Sequence, residues 1–262
     1  MNIFLASLIA SLGINLFMFI PAFLLQTDKI TDISYAVTFM FVALVAFLGS
    51  AREPFHYVLL FMVLAWAIRL GSFLLGRIIR QGKDKRFDGM REHFLLFGRF
   101  WLLQGISVFV VMISAVGGFN SSSNFQLISY LGIAVFLLGL ILESVADHQK
   151  MKFSQISTNK NKWIQSGVWS LSRHPNYLGE MMIWSGVFLS VLFSVDSNLK
   201  WVGLISPLYI ITLLLFVSGV PLLEKSADKK WGKPGPHRIA IVGKGQWVEY
   251  AQVVIQAKLV AV

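Results

Sequence analysis

The chain has no cysteine among its 262 residues. That absence removes thiol nucleophiles, cysteine-ligated metal centres and disulfides, and it leaves the redox compartment unmarked. Charge is scarce as well. Asp, Glu, Lys and Arg make up 14% of the sequence, against about 25% in soluble domains, so a water-exposed shell of ordinary size cannot be built. No sustained heptads run through the chain, which excludes a coiled coil. Strict apolar–polar alternation is missing too, which excludes a membrane β-barrel. The five histidines (His56, His93, His148, His174 and His237) show no metal-ligand spacing, so no metal is expected. No Walker or G-x-G-x-x-G loop occurs, so a nucleotide would not sit on a Rossmann half. The N-terminus lacks a basic n-region, and no cleavable signal is expected.

What is present points in one direction. Apolar residues make up 56% of the chain, with 22 Phe and 8 Trp, and the mean hydropathy is +0.68. Uninterrupted apolar runs of the ~17–25 residues that a bilayer requires occur seven times. They lie at roughly 3–25, 31–50, 55–76, 94–117, 125–146, 178–195 and 201–223. The expected fold is an all-α polytopic membrane protein with about seven transmembrane helices. Residues 1–233 form its membrane domain and 234–262 a cytoplasmic tail.

Of the 23 Lys and Arg, all but Arg52, Arg69, Arg99 and Lys200 fall on one side of these spans. The positive-inside rule then predicts the N-terminus outside and the C-terminus in the cytoplasm. The same distribution accounts for the net charge of +10. It reads as a cytoplasmic membrane face rather than a nucleic-acid footprint.

Ionisable residues at membrane depth need a reason, since each costs at least ~2.5–3.5 kcal/mol on insertion scales. Arg69 lies about two turns before the cytoplasmic end of the third span. Arg99 lies near the start of the fourth, where it can snorkel. Glu143 and Asp147, four apart, share a face at the inner end of the fifth span, and Glu180 opens the sixth. These groups predict a polar cavity open to the cytoplasm, with Trp66 and Gln104 as candidates for its deeper wall.

Residues 163–184 read WIQSGVWSLSRHPNYLGEMMIW. The SGVW segment reads as a turn leading to an interfacial Trp. Pro175 disfavours helix at His174 and suits a first helical turn, so a helix is predicted to begin near Pro175–Asn176. Arg173 and His174 then stand just outside its N-terminus. Free N–H groups, the positive helix end and Arg173 together predict an anion site. Asn176 and Glu180, at i and i+4, face the same way and can hydrogen-bond an amide or a ribose. A simple helix cap with a snorkelling Arg is the plainer alternative.

The string SRHPNYLGE resembles the signature of bacterial membrane proteins of the DUF1295 and steroid 5-alpha-reductase C-terminal type, related to sterol C14 reductases. The segments AWAIRLGSFLLGR, GKDKRFDGMRE, ESVADHQKMKF and PLLEKSADKKWG extend the likeness over about 60–232. More distantly it is similar to isoprenylcysteine carboxyl methyltransferases and phospholipid methyltransferases, which use S-adenosylmethionine. The resemblance implies a seven-helix reductase of the bacterial inner membrane, with NADPH in a cytoplasm-facing cavity. A lipophilic substrate would enter from the bilayer, and hydride would pass to an activated C=C. It implies further that Asp147, Arg173, His174, Asn176, Tyr177 and Glu180 contact the dinucleotide. Lys83 and Arg86 would bracket its phosphates, and Arg69 would support the pocket.

Two departures accompany this resemblance. Where 5-alpha-reductases carry a Tyr that donates to the substrate carbonyl, three residues before the third-helix Arg, this chain has Trp66. Its indole is a donor but a poor acid. Trp66, Gln104 and Tyr177 are therefore the candidate catalytic donors. Secondly, the sequence after Trp231 departs from the family's usual closing segment.

Overall fold

In a computed structural model, which describes residues 2–81, 87–121, 125–159, 162, 164–195, 197–221 and 223, the apolar runs are helices. No strand occurs among the described residues. The first five helices are α1 (Ile3–Leu24), α2 (Thr31–Leu48), α3 (Pro54–Gln81), α4 (Phe94–Phe119) and α5 (Leu127–Gln155). They are followed by α6 (Pro175–Val191), α7 (Ser197–Gly203) and α8 (Ile205–Thr212). Six helical stretches are long and apolar enough to cross a membrane: α1 to α5 and the stretch Lys200–Val217. At 17 residues, α6 sits at the lower end of spanning length.

Local chemistry explains the helix ends. Asn2 caps α1, its side-chain oxygen accepting the Phe4 N–H at 2.9 Å. Gln26 closes α1 in the left-handed region at φ 46. The Thr27 N–H reaches back there to the Ala22 carbonyl at 2.9 Å. The proline of α6 stands at its first position, where no N–H is needed. The expected last span, 201–223, is not one regular helix. Pro207 sits in the first turn of α8 for the same reason, and Leu213–Val217 continues as π-helix.

The chain divides into two compact units, Met1–Leu137 with Ile183–Ile210, and Leu138–Met182 with the chain from Ile211 onward. In the first, α1 packs on α2 and α4, and α2 packs on α3. The inward face of α1 is a stripe of Ser7, Ser11, Asn15, Phe19 and Ala22. Small and polar residues let helices approach closely where lipid supplies no hydrophobic drive. Ser11 donates to the Gly105 carbonyl at 2.7 Å, and Asn15 Nδ2 donates to Thr38 Oγ1 at 3.1 Å. Gln104 Nε2 donates to Asn15 Oδ1 at 2.9 Å and to Ser34 Oγ at 3.1 Å. Asn15 thus joins three helices. Asn15→Leu is expected to lower stability by about 1 kcal/mol, the scale of one interhelical hydrogen bond in a membrane protein. Thermal unfolding in detergent measures it, and an unchanged Tm would show that the network adds nothing.

At the end of this unit where α1 meets α2 and α3 approaches α4, acids and bases pair. Arg77 binds Asp32. Arg91 Nε lies 2.8 Å from Asp28 Oδ1, and Arg91 Nη2 donates to Asp88 Oδ1 at 2.9 Å. Arg91 and Asp28 are both buried. Beside them Phe19, Ala22, Phe87, Phe97 and Trp101 form an apolar cluster.

Candidate functional site

The second unit contains the helix-start motif and the carboxylates of α5. Two contacts show that α6 runs antiparallel to α5. Trp169, before α6, touches Ala146, while Gly179, inside α6, meets α5 further back, at Glu143 and Gly139. One turn along the antiparallel pair from that crossing brings Asp147 level with the start of α6.

The crossing depends on Gly179. A Cβ there would lie 2.7 Å from the Glu143 nitrogen and 2.8 Å from the Gly139 carbonyl oxygen. Both obstacles are backbone, so neither can swing away. The glycine of the SRHPNYLGE motif is thus a packing requirement. Gly179→Ala is expected to cost roughly 1–3 kcal/mol by overpacking. A fall in Tm without added ligand would measure it, and none would show that the helices can part freely.

Glu143 stands at this crossing, and Glu180 follows Gly179 in the chain. Glu143 and Asp147 are 4% and 6% exposed, a degree of burial that carboxylates seldom reach without partners. They and Arg173, His174, Tyr177 and Glu180 all take part in further polar or ring interactions. The His174 and Tyr177 rings stack with centroids 5.6 Å apart. The Ser172 hydroxyl accepts the His174 N–H at 3.3 Å, and the His174 carbonyl begins α6 by accepting from Leu178 at 3.1 Å. Asn176 is the exception. Its Oδ1 is buried and has no hydrogen-bond partner among the described residues. A buried acceptor without a donor costs about 1–3 kcal/mol, and sites tolerate that cost where a ligand supplies the donor.

The Asp147–His148 pair is split by helix geometry, with the carboxylate buried and the imidazole exposed. Trp169 is not open to the interface as its sequence setting suggests. It is 9% exposed, donates its indole N–H to the Ala146 carbonyl at 3.0 Å, and carries the Lys150 ammonium 5.0 Å over its ring. Only the fold shows this, because Trp169 and Lys150 are nineteen residues apart and share no pattern.

Arg69, Trp66 and Gln104 belong to the first unit. Arg69 holds its guanidinium 5.7 Å from the centre of the Phe73 ring. Trp66 is 1% exposed in an aromatic cluster, edge-on to Phe39 at 4.8 Å and to Trp184 at 4.9 Å. Gln104 is committed to the Asn15 network. Lys83 and Arg86 lie outside the described residues, as does the 234–262 tail.

Residues 18–238 match the model of a family described as a protein of unknown function, DUF1295. The chain belongs to the DUF1295 family. No curated protein and no solved structure matches it. The DUF1295 match runs from inside α1 to beyond the described residues, and so includes the helix-start motif, the α5 carboxylates and the crossing at Gly179.

Proposed function

We propose that this DUF1295 protein is a membrane-embedded reductase that binds NADPH and passes hydride to an activated C=C of a lipophilic substrate. The observation that carries this reading is the unpartnered, buried Asn176 Oδ1 in the first turn of α6, beside Arg173. A nucleotide offers what that corner lacks. The positive N-terminal end of α6 and the Arg173 guanidinium suit a phosphate. Asn176 Oδ1 suits an amide or amino hydrogen. Asp147 and Glu180 are acceptors of the kind that hold ribose hydroxyls, and the His174–Tyr177 pair offers ring faces. By resemblance, Lys83, Arg86 and Arg69 would add to this set.

The nicotinamide would supply the hydride, and the chain's part would be positioning and electrostatics. Of the three candidate donors, Tyr177 lies in the first turn of α6, within the helix-start motif. Gln104 has its amide hydrogens turned to Asn15 and Ser34, and Trp66 is enclosed by aromatic rings. The Tyr177 hydroxyl is therefore the group assigned to polarise a conjugated carbonyl. The basic loops support an N-terminus outside and a site opening to the cytoplasm.

Ligand linkage tests the reading. NADPH at 100 times its Kd should stabilise the purified protein by about 2.7 kcal/mol, visible as a raised Tm. No stabilisation near millimolar NADPH would remove the proposal. Stabilisation by S-adenosylmethionine instead would select a methyltransferase of the isoprenylcysteine or phospholipid type.

A further inference from the structure

In the second unit, the segment just before the helix-start motif is tied back onto α5 by residues that the ligand reading does not use. Gly167 adopts φ +62, in the left-handed region. That backbone favours glycine, and a Cβ there would fall 2.6 Å from Gln149 Cδ, so a larger residue would have to displace the Gln149 amide. Gln149 Oε1 accepts the Val168 N–H at 3.1 Å. The next residue, Trp169, donates to Ala146 and lies under Lys150. Three successive residues of the segment are thus held by just over one turn of α5.

The ties restrain the start of α6. Arg173 is only five residues beyond Val168, a tether of at most ~18 Å when fully extended. Ser172 fixes the turn at its far end by accepting the His174 N–H. The α5 residues that hold the segment, Ala146, Gln149 and Lys150, flank Asp147 in the helix. Moving the segment therefore moves Arg173 and His174 relative to the Asp147 carboxylate.

We infer that Gln149 is a positioning residue: by accepting the Val168 N–H in the Gly167 turn, it sets where Arg173 and His174 enter α6 and so presents the anion-binding corner. The inference rests on the reductase reading for its ligand and on geometry alone for the positioning. Neither Gln149 nor Gly167 needs to touch the nucleotide.

Two readouts keep these parts separate. The first is hydrogen–deuterium exchange of segment 164–174 in the unliganded protein. Gln149→Leu, which removes the acceptor, should speed exchange there roughly fivefold, the change that one lost hydrogen bond returns. Gln149→Glu retains an acceptor and should exchange as wild type. Gly167→Ala, which strains the turn and puts a methyl group where the Gln149 amide lies, should match Gln149→Leu. The second readout is the NADPH Kd, expected to rise roughly fivefold in Gln149→Leu on the same count and to recover in Gln149→Glu. Wild-type exchange in Gln149→Leu, or equal loss in Gln149→Glu, overturns the positioning role. Faster exchange with an unchanged NADPH Kd overturns the link between the turn and the site. If wild-type protein gains nothing from NADPH, the reductase reading falls, and the exchange rates still decide whether Gln149 holds the segment.

Discussion

Replacing Asn176 by Ala should weaken NADPH binding roughly 10- to 100-fold, while the unliganded protein becomes no less stable. The two directions arise from one observation. The Asn176 oxygen is buried without a donor among the described residues, so the empty protein bears its desolvation cost of about 1–3 kcal/mol. Removing the group relieves that cost in the unliganded state and removes an acceptor from the liganded one. A loss of about 1.4 kcal/mol is already tenfold in Kd. A residue that merely capped α6 would behave differently, because its loss would lower the Tm and leave NADPH affinity alone. Glu180→Ala, one turn further along the same face, should weaken NADPH binding by a similar factor. Thermal shift against NADPH concentration measures both effects. If the two variants retain wild-type affinity, the assignment of these residues to the nucleotide is wrong.

Arg91→Ala should destabilise the first unit by about 3–5 kcal/mol, the usual cost of leaving one member of a buried ion pair alone. Asp28 has a side chain only 3% exposed and Arg91 one only 7% exposed, with 2.8 Å between them. Asp88, which also binds Arg91, is 61% exposed and can be rehydrated, so its loss matters far less. The decisive comparison is the double variant Asp28→Leu with Arg91→Met. Two apolar side chains of similar volume leave no orphaned charge, so the double variant should recover most of the single variant's loss. Thermal or denaturant unfolding of the two variants measures this. If Arg91→Ala unfolds with wild-type stability, the pair does not anchor the loop between α3 and α4.

How much of the fold and the site was legible in the sequence depended on whether a residue's meaning was local. The start of α6 at Pro175 could be read directly, because a proline excludes its own N–H and restricts the residue before it. That Glu143 and Asp147 share one helix face, and Asn176 and Glu180 another, came from helical spacing alone. The last apolar run was read as one span, and Lys200–Val217 is one apolar helical stretch, though irregular at Pro207 and over its π-helical end. Gln104 looked like part of a polar cavity, since the sequence carries no sign that Asn15 and Ser34 lie beside it. Trp169 looked interfacial for the same reason. Gly179 was visible in the motif, but its role as the contact point of two helices could not be seen there.

The sequence by itself determined that this is an all-helical membrane protein of the DUF1295 type. Apolar run length and the scarcity of charge are summed properties, indifferent to which helix touches which. Tertiary structure alone decided that Asn15 and Gln104 are partners, that Arg91 and Asp28 pair out of water, and that Gln149 grips the turn before Arg173. Each of those facts depends on residues distant in the chain arriving at one point. Hydrogen-bond distance and burial exist only once they do.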